Sequence, residues 1–336
     1  MPKHILVIRL SAMGDVAMTV PVLRAFTEQH PDVKITVLTK GFFTPFFQDI
    51  KNVSVFKADI KGKHKGILGL YRLSKELKAR KIDAVADLHN VLRSNILKLF
   101  FFGKTFAQID KGRQEKKALV SGQSVSQLKS THQRYIDVFE SLGYPVAISN
   151  PNFPPPSKLK DSILKITGTK ESEWIGIAPF AAHKSKMYPL DKMVDVIEGL
   201  PSESKIFLFG GGDKEIQFLK PLEAAYKNVT NLAGELDLTE ELDVISHLDV
   251  MVSMDSGNGH LAAMLGKNVI TIWGVTHPFA GFVPFHQPME NQLIADRERY
   301  PKIPTSIYGN TFPEGYEHAA GSILPDIIID KIKTFL

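Results

Sequence analysis

A carboxylate follows the first apolar segment of the chain at a spacing that suits acid–base chemistry. The run HILVIRL (4–10) predicts a buried strand, and the segment RLSAMGDVAMTVP (9–21) then places Gly14 and Asp15 before a helical run. Gly14 permits a tight turn, and Asp15 stands where a helix N-cap is expected. Asp15 can cap the helix with one oxygen and take a proton from a substrate hydroxyl with the other. From the sequence alone, both interpretations stay open.

A second strand-to-helix turn carries residues suited to holding an anion. Between the strand-like DVMVS (249–253) and a helical apolar run lie Asp255, Ser256, Gly257, Asn258, Gly259 and His260. Glycines let the backbone approach a ligand closely, and the N–H groups at a helix N-terminus carry positive partial charge. The pattern predicts a diphosphate-binding turn that needs no metal. The alternative is structural, with Asp255 holding the loop and His260 facing the core.

Two lysines follow another predicted strand. The segment APFAAHKSKMYPL (178–190) places Lys184 and Lys186 in a loop after the strand 174–179. Most loop lysines are solvated, so either one alone is a weak signal, although their loop is expected to open onto the same cleft as the two turns. The glycines of LFGGGDKE (208–215) form either a plain tight turn or a loop that faces a nucleotide.

The elements that must position these residues alternate between short β-rich runs and longer amphipathic runs. The predicted strands are 4–10, 34–39, 53–58, 82–89, 174–179, 204–210, 249–253 and 268–274. The predicted helices are 15–30, 67–80, 92–102, 124–142, 190–200, 214–226, 238–246, 259–265 and a last one from about 325. Alternation of this kind indicates βα units around parallel sheets.

One proline-rich segment divides this series. Five prolines and two asparagines within 141–158 predict a linker, and residues 277–320 are rich in Pro, Gly and aromatic residues and read as irregular. The fold class is therefore α/β, with two Rossmann-like domains in tandem. Ligands of such domains are expected in a cleft at the carboxyl ends of the strands.

Composition and missing motifs narrow the function. The chain of 336 residues has no cysteine, so disulfides, thiolate ligands and a thiol nucleophile are excluded, and a cytoplasmic location is expected. The net charge of +5 suits an anionic ligand or an anionic membrane surface. No dinucleotide fingerprint, P-loop, H-E-x-x-H, Asp-x-Asp or nucleophile elbow occurs, which argues against hydride, metal and serine-hydrolase chemistry.

The sequence resembles the bacterial ADP-heptose:lipopolysaccharide heptosyltransferases, a family with the GT-B architecture. The resemblance covers nearly the whole chain and rests on ILVIRLSAMGDVAMTVPVLRAF, APFAAHKSKMYP, LFGGGDKE, LAGELDLTEE and DSGNGHLAAMLGKNVITIWGVTHP. It implies that Asp15 is the catalytic base and that Lys186 lies near the donor phosphates. It also implies that Asp255, Ser256, Gly257 and His260 bind the diphosphate and that Glu235 contacts the adenosine ribose. Phe180 and Tyr188 depart from the family pattern.

The resemblance implies a reaction and an organisation of the chain. The reaction is inverting, metal-independent and cofactor-free transfer of heptose from ADP-heptose to an anionic inner-core glycolipid. The expected domains are an acceptor domain (1–150), a donor domain (158–320) and a last helix (321–336) that packs toward the N-terminal domain. We also expect transient contact with the inner face of the cytoplasmic membrane and no nucleic-acid partner. The basic residues expected to form a rim for the acceptor are Lys61, Lys63, Lys65, Arg93, Arg113, Lys116 and Lys117.

Three alternatives stay open at this point. The first is a related transferase that uses another nucleotide sugar. The second is a protein that binds a nucleotide sugar without turnover, against which Asp15 and Lys186 argue. The third is a nicotinamide dehydrogenase, which fits the alternation of strands and helices but lacks the glycine fingerprint.

Overall fold

A computed structural model describes all residues, 1–336, and its contacts divide the chain into two units. Unit 1 contains residues 1–111 and 130–153, and unit 2 contains residues 112–129 and 154–336. The division between residues 153 and 154 lies inside the predicted linker. Segment 112–129 differs from the expected domain bounds because its apolar side chains belong to unit 2, where Leu119 and Leu128 cluster with Ala280.

Unit 1 is built on a five-stranded parallel sheet. Its strands are β1 (His4–Ile8), β2 (Lys34–Thr39), β3 (Val53–Lys57), β4 (Ala84–Asp87) and β5 (Thr105–Gln108). They lie in the order β3-β2-β1-β4-β5. The chain runs outward from β1 to β3 and then returns to β4 on the other side of β1, so the strand order reverses between β1 and β4. Residues 5–8 of the central strand β1 are fully buried, as expected for a sheet covered on both faces.

Unit 2 is built on a six-stranded parallel sheet. Its strands are β6 (Trp174–Ala178), β7 (Lys205–Leu208), β8 (Val229–Asn231), β9 (Val250–Met254), β10 (Asn268–Trp273) and β11 (Gln292–Ile294). They lie in the order β11-β10-β9-β6-β7-β8. Here the reversal falls between β6 and β9, which pair directly from Ile175 with Val250 to Ala178 with Ser253.

Twelve α-helices connect the strands. They are α1 (Met13–Ala17), α2 (Thr19–Gln29), α3 (Gly66–Lys78), α4 (Leu92–Phe100), α5 (Arg113–Val120), α6 (Thr131–Ser141), α7 (Asp161–Thr167), α8 (Leu190–Glu198), α9 (Asp213–Ala225), α10 (Leu238–Ile245), α11 (Gly257–Met264) and α12 (Pro325–Lys333). The predicted helix 15–30 is divided at Met18 into α1 and α2. The predicted helix 124–142 begins only at α6, because Ser130 caps it by accepting a hydrogen bond from the amide of Gln133.

The last helix packs within unit 2. We expected it to pack toward the N-terminal domain, but α12 lies against α8 instead. Ile328, Ile329 and Ile332 of α12 are buried in the same apolar core as Val196 and Ile197 of α8. The expectation is wrong on this point because the apolar face of α12 is used to complete the core of unit 2.

None of the helices combines the length and the apolar character that crossing a membrane requires.

Candidate functional site

Unit 2 brings Lys186, Asp255 and Thr276 together at one edge of its sheet. These residues lie in the loops that follow the neighbouring strands β6, β9 and β10. Nζ of Lys186 lies 2.9 Å from Oδ2 of Asp255, and the hydroxyl of Thr276 donates to the same oxygen at 2.9 Å. The side chains of Lys186 and Asp255 are only 13% and 9% exposed. In open α/β sheets, ligands bind at the carboxyl ends of the strands where the strand order reverses, and this cluster lies there.

Two glycines allow other loops to pack against the turn that carries Lys186. This turn is the 3₁₀ segment Lys184–Lys186, in which Ser185 is buried. A Cβ atom at Gly274 would lie 2.1 Å from the carbonyl oxygen of Ser185, and one at Gly309 would lie 2.5 Å from Cγ of Lys186. The loops at Gly274 and Gly309 therefore contact the turn at backbone distance and fix the aliphatic part of Lys186.

The turn after β9 begins a helix, as the sequence predicts, but not all of its amides are available to a ligand. Ser256 is the N-cap residue of α11. The hydroxyl of Ser253 accepts a hydrogen bond from the amide of Gly259 at 3.0 Å. Because the amides at the first positions of a helix have no intrahelical partner, those of Gly257 and Asn258 are the ones suited to an anion. The role expected for the backbone of Gly259 is corrected accordingly.

Unit 1 places Asp15 at the corresponding edge of its own sheet, in α1, which follows β1. Oδ2 of Asp15 lies 2.6 Å from Nη2 of Arg9 and accepts a hydrogen bond from the amide of Ala12 at 3.1 Å. Asp15 is therefore the third residue of the helix and bonds back to the N-cap residue Ala12, rather than being the N-cap itself. One oxygen makes both contacts. Oδ1 is the oxygen suited to a substrate, in a side chain that is 29% exposed.

A buried polar network surrounds Arg9. Its Nη1 donates to the carbonyl oxygen of Leu88 at 2.7 Å, in the loop after the neighbouring strand β4. The hydroxyl of Tyr135 in α6 donates to the carbonyl oxygen of Asp15 at 3.1 Å. Burial, and then the positive charge of Arg9, lower the pKa of His89 to about 4, so His89 is neutral at pH 7. The network holds Arg9, and Arg9 in turn holds Asp15.

Arg9, which contacts Asp15, is a residue that the sequence did not single out. Arg9 has a detectable signal, because it is a charged residue at the end of the otherwise apolar run HILVIRL. Thr276 belongs to the segment 273–276, which the sequence made a candidate for the adenine pocket, but nothing in the sequence indicates its contact with Asp255.

Several predicted residues lie outside the two clusters. Gly14 is a helical residue of α1 without a positive φ, so its expected role in a tight turn is wrong. Lys184 and Glu235 are exposed, and His260 is buried. The sequence also suggests the loop around Glu235 and the segment 273–276 for an adenine pocket, but Trp273 is fully buried and donates to the side chain of Gln292, so its side chain does not line a pocket.

The residues expected to form a basic acceptor rim lie in different places. Lys61 and Lys65 are exposed, and Nζ of Lys63 lies 3.1 Å from a carboxylate oxygen of Glu76. Arg93 is half-buried near the start of α4. The remaining three, which we expected in the N-terminal domain, belong to α5 in unit 2: Arg113, Lys116 and Lys117.

Lys116 does not belong to an exposed rim. It is 9% exposed, and its ammonium group lies 4.2 Å from the centre of the Phe282 ring. Its contact with Phe282 helps to attach α5 to unit 2.

Unit 2 also contains a cavity of about 730 Å³. Residues 119–122 and 125 line one side, and Arg297 and residues 301–305 and 311–313 line the other. Lys186 and Asp255 are not among the lining residues, so this cavity is distinct from the cluster described above. No group of three or more His, Asp or Glu side chains suited to holding a metal ion is present.

Residues 70–311 match glycosyltransferase family 9 (heptosyltransferase). The chain belongs to this family. It is therefore a glycosyltransferase, as the motifs predicted. The matched range includes Lys186, Glu235 and Asp255, whereas Asp15 precedes it.

Curated relatives of this family 9 glycosyltransferase include lipopolysaccharide heptosyltransferases. The chain is 24% identical over 290 residues to the lipopolysaccharide core heptosyltransferase OpsX of Haemophilus influenzae, covering 82% of this chain and 80% of the relative. It is 27% identical over 292 residues to lipopolysaccharide heptosyltransferase 1 of Campylobacter coli, covering 81% and 84%.

Solved structures share the fold of this family 9 glycosyltransferase. A family 9 glycosyl transferase from Veillonella parvula superimposes with a TM-score of 0.76 at 20% identity, covering 99% of this chain and 97% of that one. The Escherichia coli heptosyltransferase WaaC, solved with ADP, gives 0.69 at 19% identity, covering 99% and 100%. These likenesses confirm the predicted α/β fold of two tandem Rossmann-like domains, the GT-B architecture.

Proposed function

We propose that this glycosyltransferase moves a heptose from ADP-heptose to a sugar of the lipopolysaccharide inner core, with inversion at the anomeric carbon. The family and the names of the curated relatives support the substrate classes. The observation that carries the proposal is the contact of Lys186 with Asp255 at the reversal of strand order in unit 2. A fixed cation beside a helix N-terminus suits the diphosphate of a nucleotide sugar.

In the proposed reaction, Asp15 acts as the general base. A sugar hydroxyl is a poor nucleophile at neutral pH, and removal of its proton during attack contributes about 10²–10⁴-fold. Oδ2 of Asp15 already contacts Arg9 and the amide of Ala12, so Oδ1 takes the proton. The contact with Arg9 holds the carboxylate in one orientation, which a proton transfer requires.

The leaving diphosphate gains negative charge as the glycosidic bond breaks. Lys186 and the amides of Gly257 and Asn258 stabilise this charge more in the transition state than in the ground state. Because Asp255 already contacts Lys186, its role is to position the ammonium group rather than to bind the donor. The hydroxyl of Thr276 holds Asp255 in place.

The remaining binding roles rest on the family resemblance. Glu235 is exposed in the loop after β8, where a carboxylate is suited to accept hydrogen bonds from the ribose hydroxyls of the donor. Exposed Lys61 and Lys65 precede α3 in unit 1 and attract the anionic acceptor. A lipid-linked acceptor implies that the enzyme touches the membrane surface, and a nucleotide-sugar donor places it on the cytoplasmic side.

A panel of nucleotide sugars tests the donor. Purified protein is incubated without acceptor, and hydrolysis of ADP-heptose, ADP-glucose, UDP-glucose and GDP-mannose is measured by mass spectrometry. We expect ADP-heptose to be hydrolysed at least tenfold faster than the other three. A matched variant is Glu235→Gln, which keeps the shape of the side chain; because ADP, UDP and GDP share the same ribose, it should slow hydrolysis of the preferred donor without changing which base is preferred.

Two results would change the proposal. A preference for a UDP- or GDP-sugar would leave the glycosyltransferase and overturn the named donor. Tight binding of ADP-heptose without hydrolysis or transfer, even with an acceptor present, would support the non-catalytic alternative.

A further inference from the structure

Helix α3 presents large apolar side chains to solvent. Ile67, Leu68 and Tyr71 lie in its first half, and their exposed fractions are 66%, 84% and 46%. The opposite face of the helix is already used, because Leu70, Leu73 and Leu77 are buried in a core of unit 1. The exposed side chains are therefore additional to the packing that holds the helix in place.

Helix α4 and the residues after it repeat this feature. Leu92, Leu99 and Phe102 are exposed, and Phe102 is 95% exposed. The rings of Tyr71 in α3 and Phe100 in α4 lie 5.5 Å apart. This contact joins the two helices, so their exposed apolar side chains belong to neighbouring elements of unit 1. We call this set the α3–α4 surface; it consists of Ile67, Leu68, Tyr71, Leu92, Leu99 and Phe102.

The stretch of chain that carries the α3–α4 surface is strongly basic. Residues 61–104 contain eleven Lys and Arg against three Asp and Glu, a net charge of +8, whereas the whole chain carries +5. Lysines lie close to the apolar groups: Nζ of Lys75 is 4.8 Å from the centre of the Tyr71 ring, and Lys98 directly precedes Leu99 in α4. The stretch that carries this apolar surface is thus more positive than the chain as a whole.

We propose that the α3–α4 surface docks on an anionic lipid bilayer. Apolar and aromatic side chains enter the boundary between headgroups and acyl chains, while lysines and arginines meet the anionic headgroups. An apolar surface within a basic region is complementary to such a membrane. A second copy of this chain is a poorer partner, because it would bring together two segments 61–104 that each carry a net charge of +8. The proposed function already expects the enzyme to touch a membrane, because its acceptor is lipid-linked. The α3–α4 surface gives that contact particular residues, and this assignment does not depend on which sugar is transferred.

Vesicle binding tests this assignment with the full chain. Flotation is measured with vesicles of phosphatidylcholine alone and with vesicles containing roughly 30 mol% phosphatidylglycerol. We expect at least tenfold stronger binding to the anionic vesicles, and a decrease when the salt concentration rises from about 0.1 M to about 0.5 M.

A fluorescent variant reports on the depth of insertion. Phe102→Trp introduces an exposed indole, while the two native tryptophans, Trp174 and Trp273, are fully buried in unit 2. Its emission is expected to shift to shorter wavelength on addition of anionic vesicles and to be quenched by brominated acyl chains. An unchanged emission would contradict insertion of this surface.

Paired substitutions locate the contact. Leu99→Ser with Phe102→Ser should weaken binding to anionic vesicles at least tenfold, because burying one leucine-sized side chain is worth about tenfold or more in an equilibrium constant. The matched control is Leu324→Ser with Ile327→Ser, which changes two exposed apolar residues of α12 and its N-cap and should leave binding unchanged.

The outcomes separate this inference from the proposed reaction. Donor hydrolysis without acceptor should be equally fast in the wild type and in the variant Leu99→Ser with Phe102→Ser. If neither protein hydrolyses ADP-heptose, that result contradicts the proposed heptose transfer but not the membrane contact. Equal vesicle binding by the variant and the wild type would overturn the α3–α4 surface. Concentration-dependent dimers that the variant abolishes, without any vesicle binding, would also overturn it in favour of self-association.

Discussion

Replacing Asp255 with asparagine removes the charge that Lys186 contacts while keeping the shape of the side chain. The two groups are 2.9 Å apart and nearly buried, so Lys186 would be left as an unpaired cation with little access to water. Breaking a buried ion pair from one side costs about 3–5 kcal/mol. Because both side chains retain some exposure, we expect about 2–3 kcal/mol for Asp255→Asn, a decrease in Tm of roughly 5–10 °C for unit 2.

Replacing the other partner, Lys186→Met, should lower the free energy of unfolding by less than Asp255→Asn does. Asp255 would keep the hydrogen bond from Thr276, and methionine would retain much of the aliphatic contact with Gly309. We expect a cost of about 1–2 kcal/mol. In the double variant no unpaired charge remains, so its free energy of unfolding should lie within about 1 kcal/mol of the wild type.

The double variant should retain the stability of the wild type but lose affinity for the donor nucleotide. Denaturant unfolding of the four proteins gives the coupling free energy, and calorimetric titration gives the affinity for ADP. The double variant should be stable yet bind ADP at least tenfold more weakly than the wild type, since a charge-assisted contact is worth about 1.5–3 kcal/mol.

Two results would refute this reasoning. Additive costs, with a coupling free energy below about 0.5 kcal/mol, would show that the two side chains do not act as a pair. If the double variant binds ADP as tightly as the wild type does, Lys186 does not contact the diphosphate of the donor.

Four further outcomes are expected. Asp15→Asn should lower turnover by about 10²–10⁴-fold, because an amide cannot take the proton of the acceptor hydroxyl. The affinity for ADP should stay within threefold of the wild type, because asparagine can still accept the hydrogen bond from the amide of Ala12. Equal turnover in the variant and the wild type would show that Asp15 is not the base. Gly274→Ala should destabilise unit 2 by about 1–3 kcal/mol and weaken ADP binding, since its Cβ would lie 2.1 Å from the carbonyl oxygen of Ser185, whereas the control Gly211→Ala meets no atom within 4 Å. Burial lowers the pKa of His277 to about 4, below its unfolded value, so the unfolded chain takes up a proton first and the folded state loses stability as the pH falls from 6.5 toward 4; denaturant unfolding of His277→Asn at pH 7 and pH 4 should show a weaker pH dependence than the wild type. Activity should persist in EDTA, and a strict requirement for a divalent ion would contradict the leaving-group scheme.

The central strands and their order of appearance could be predicted because they are apolar and flanked by helical runs. HILVIRL and DVMVS are examples, and the structure confirms strands at β1 and β9. The edge strands β5, β8 and β11 were missed because they have only three or four residues and weak apolar patterns. Helix α7 was missed because the sequence around it reads as the end of the linker.

The contacts within each cluster could not be predicted from local pattern. Lys186 and Asp255 are 69 positions apart, and only the pairing of β6 with β9 places the loops after those strands side by side. The same holds for Arg9 and Leu88, which meet because β1 pairs with β4. Strand order is a property of the whole sheet, so the sequence could identify the loops but not which of them converge.

The position of Asp15 was predicted closely, but its geometry was not. The sequence places a capping carboxylate near the start of the first helix, and the structure has one. Which residue is the N-cap depends on backbone dihedrals at Ala12, where the extended conformation ends. The choice between Ala12 and Asp15 therefore follows from the local backbone and not from residue type.

The anomeric configuration of the product tests the central claim most directly. The protein is incubated with ADP-heptose and a lipopolysaccharide core acceptor that lacks heptose, and the new linkage is analysed by mass spectrometry and NMR. The account predicts addition of one heptose, with the anomeric configuration opposite to that in the donor, because Asp15 activates the acceptor for a single direct displacement. A product with retained configuration, or no transfer from ADP-heptose under conditions in which another nucleotide sugar is used, would contradict it.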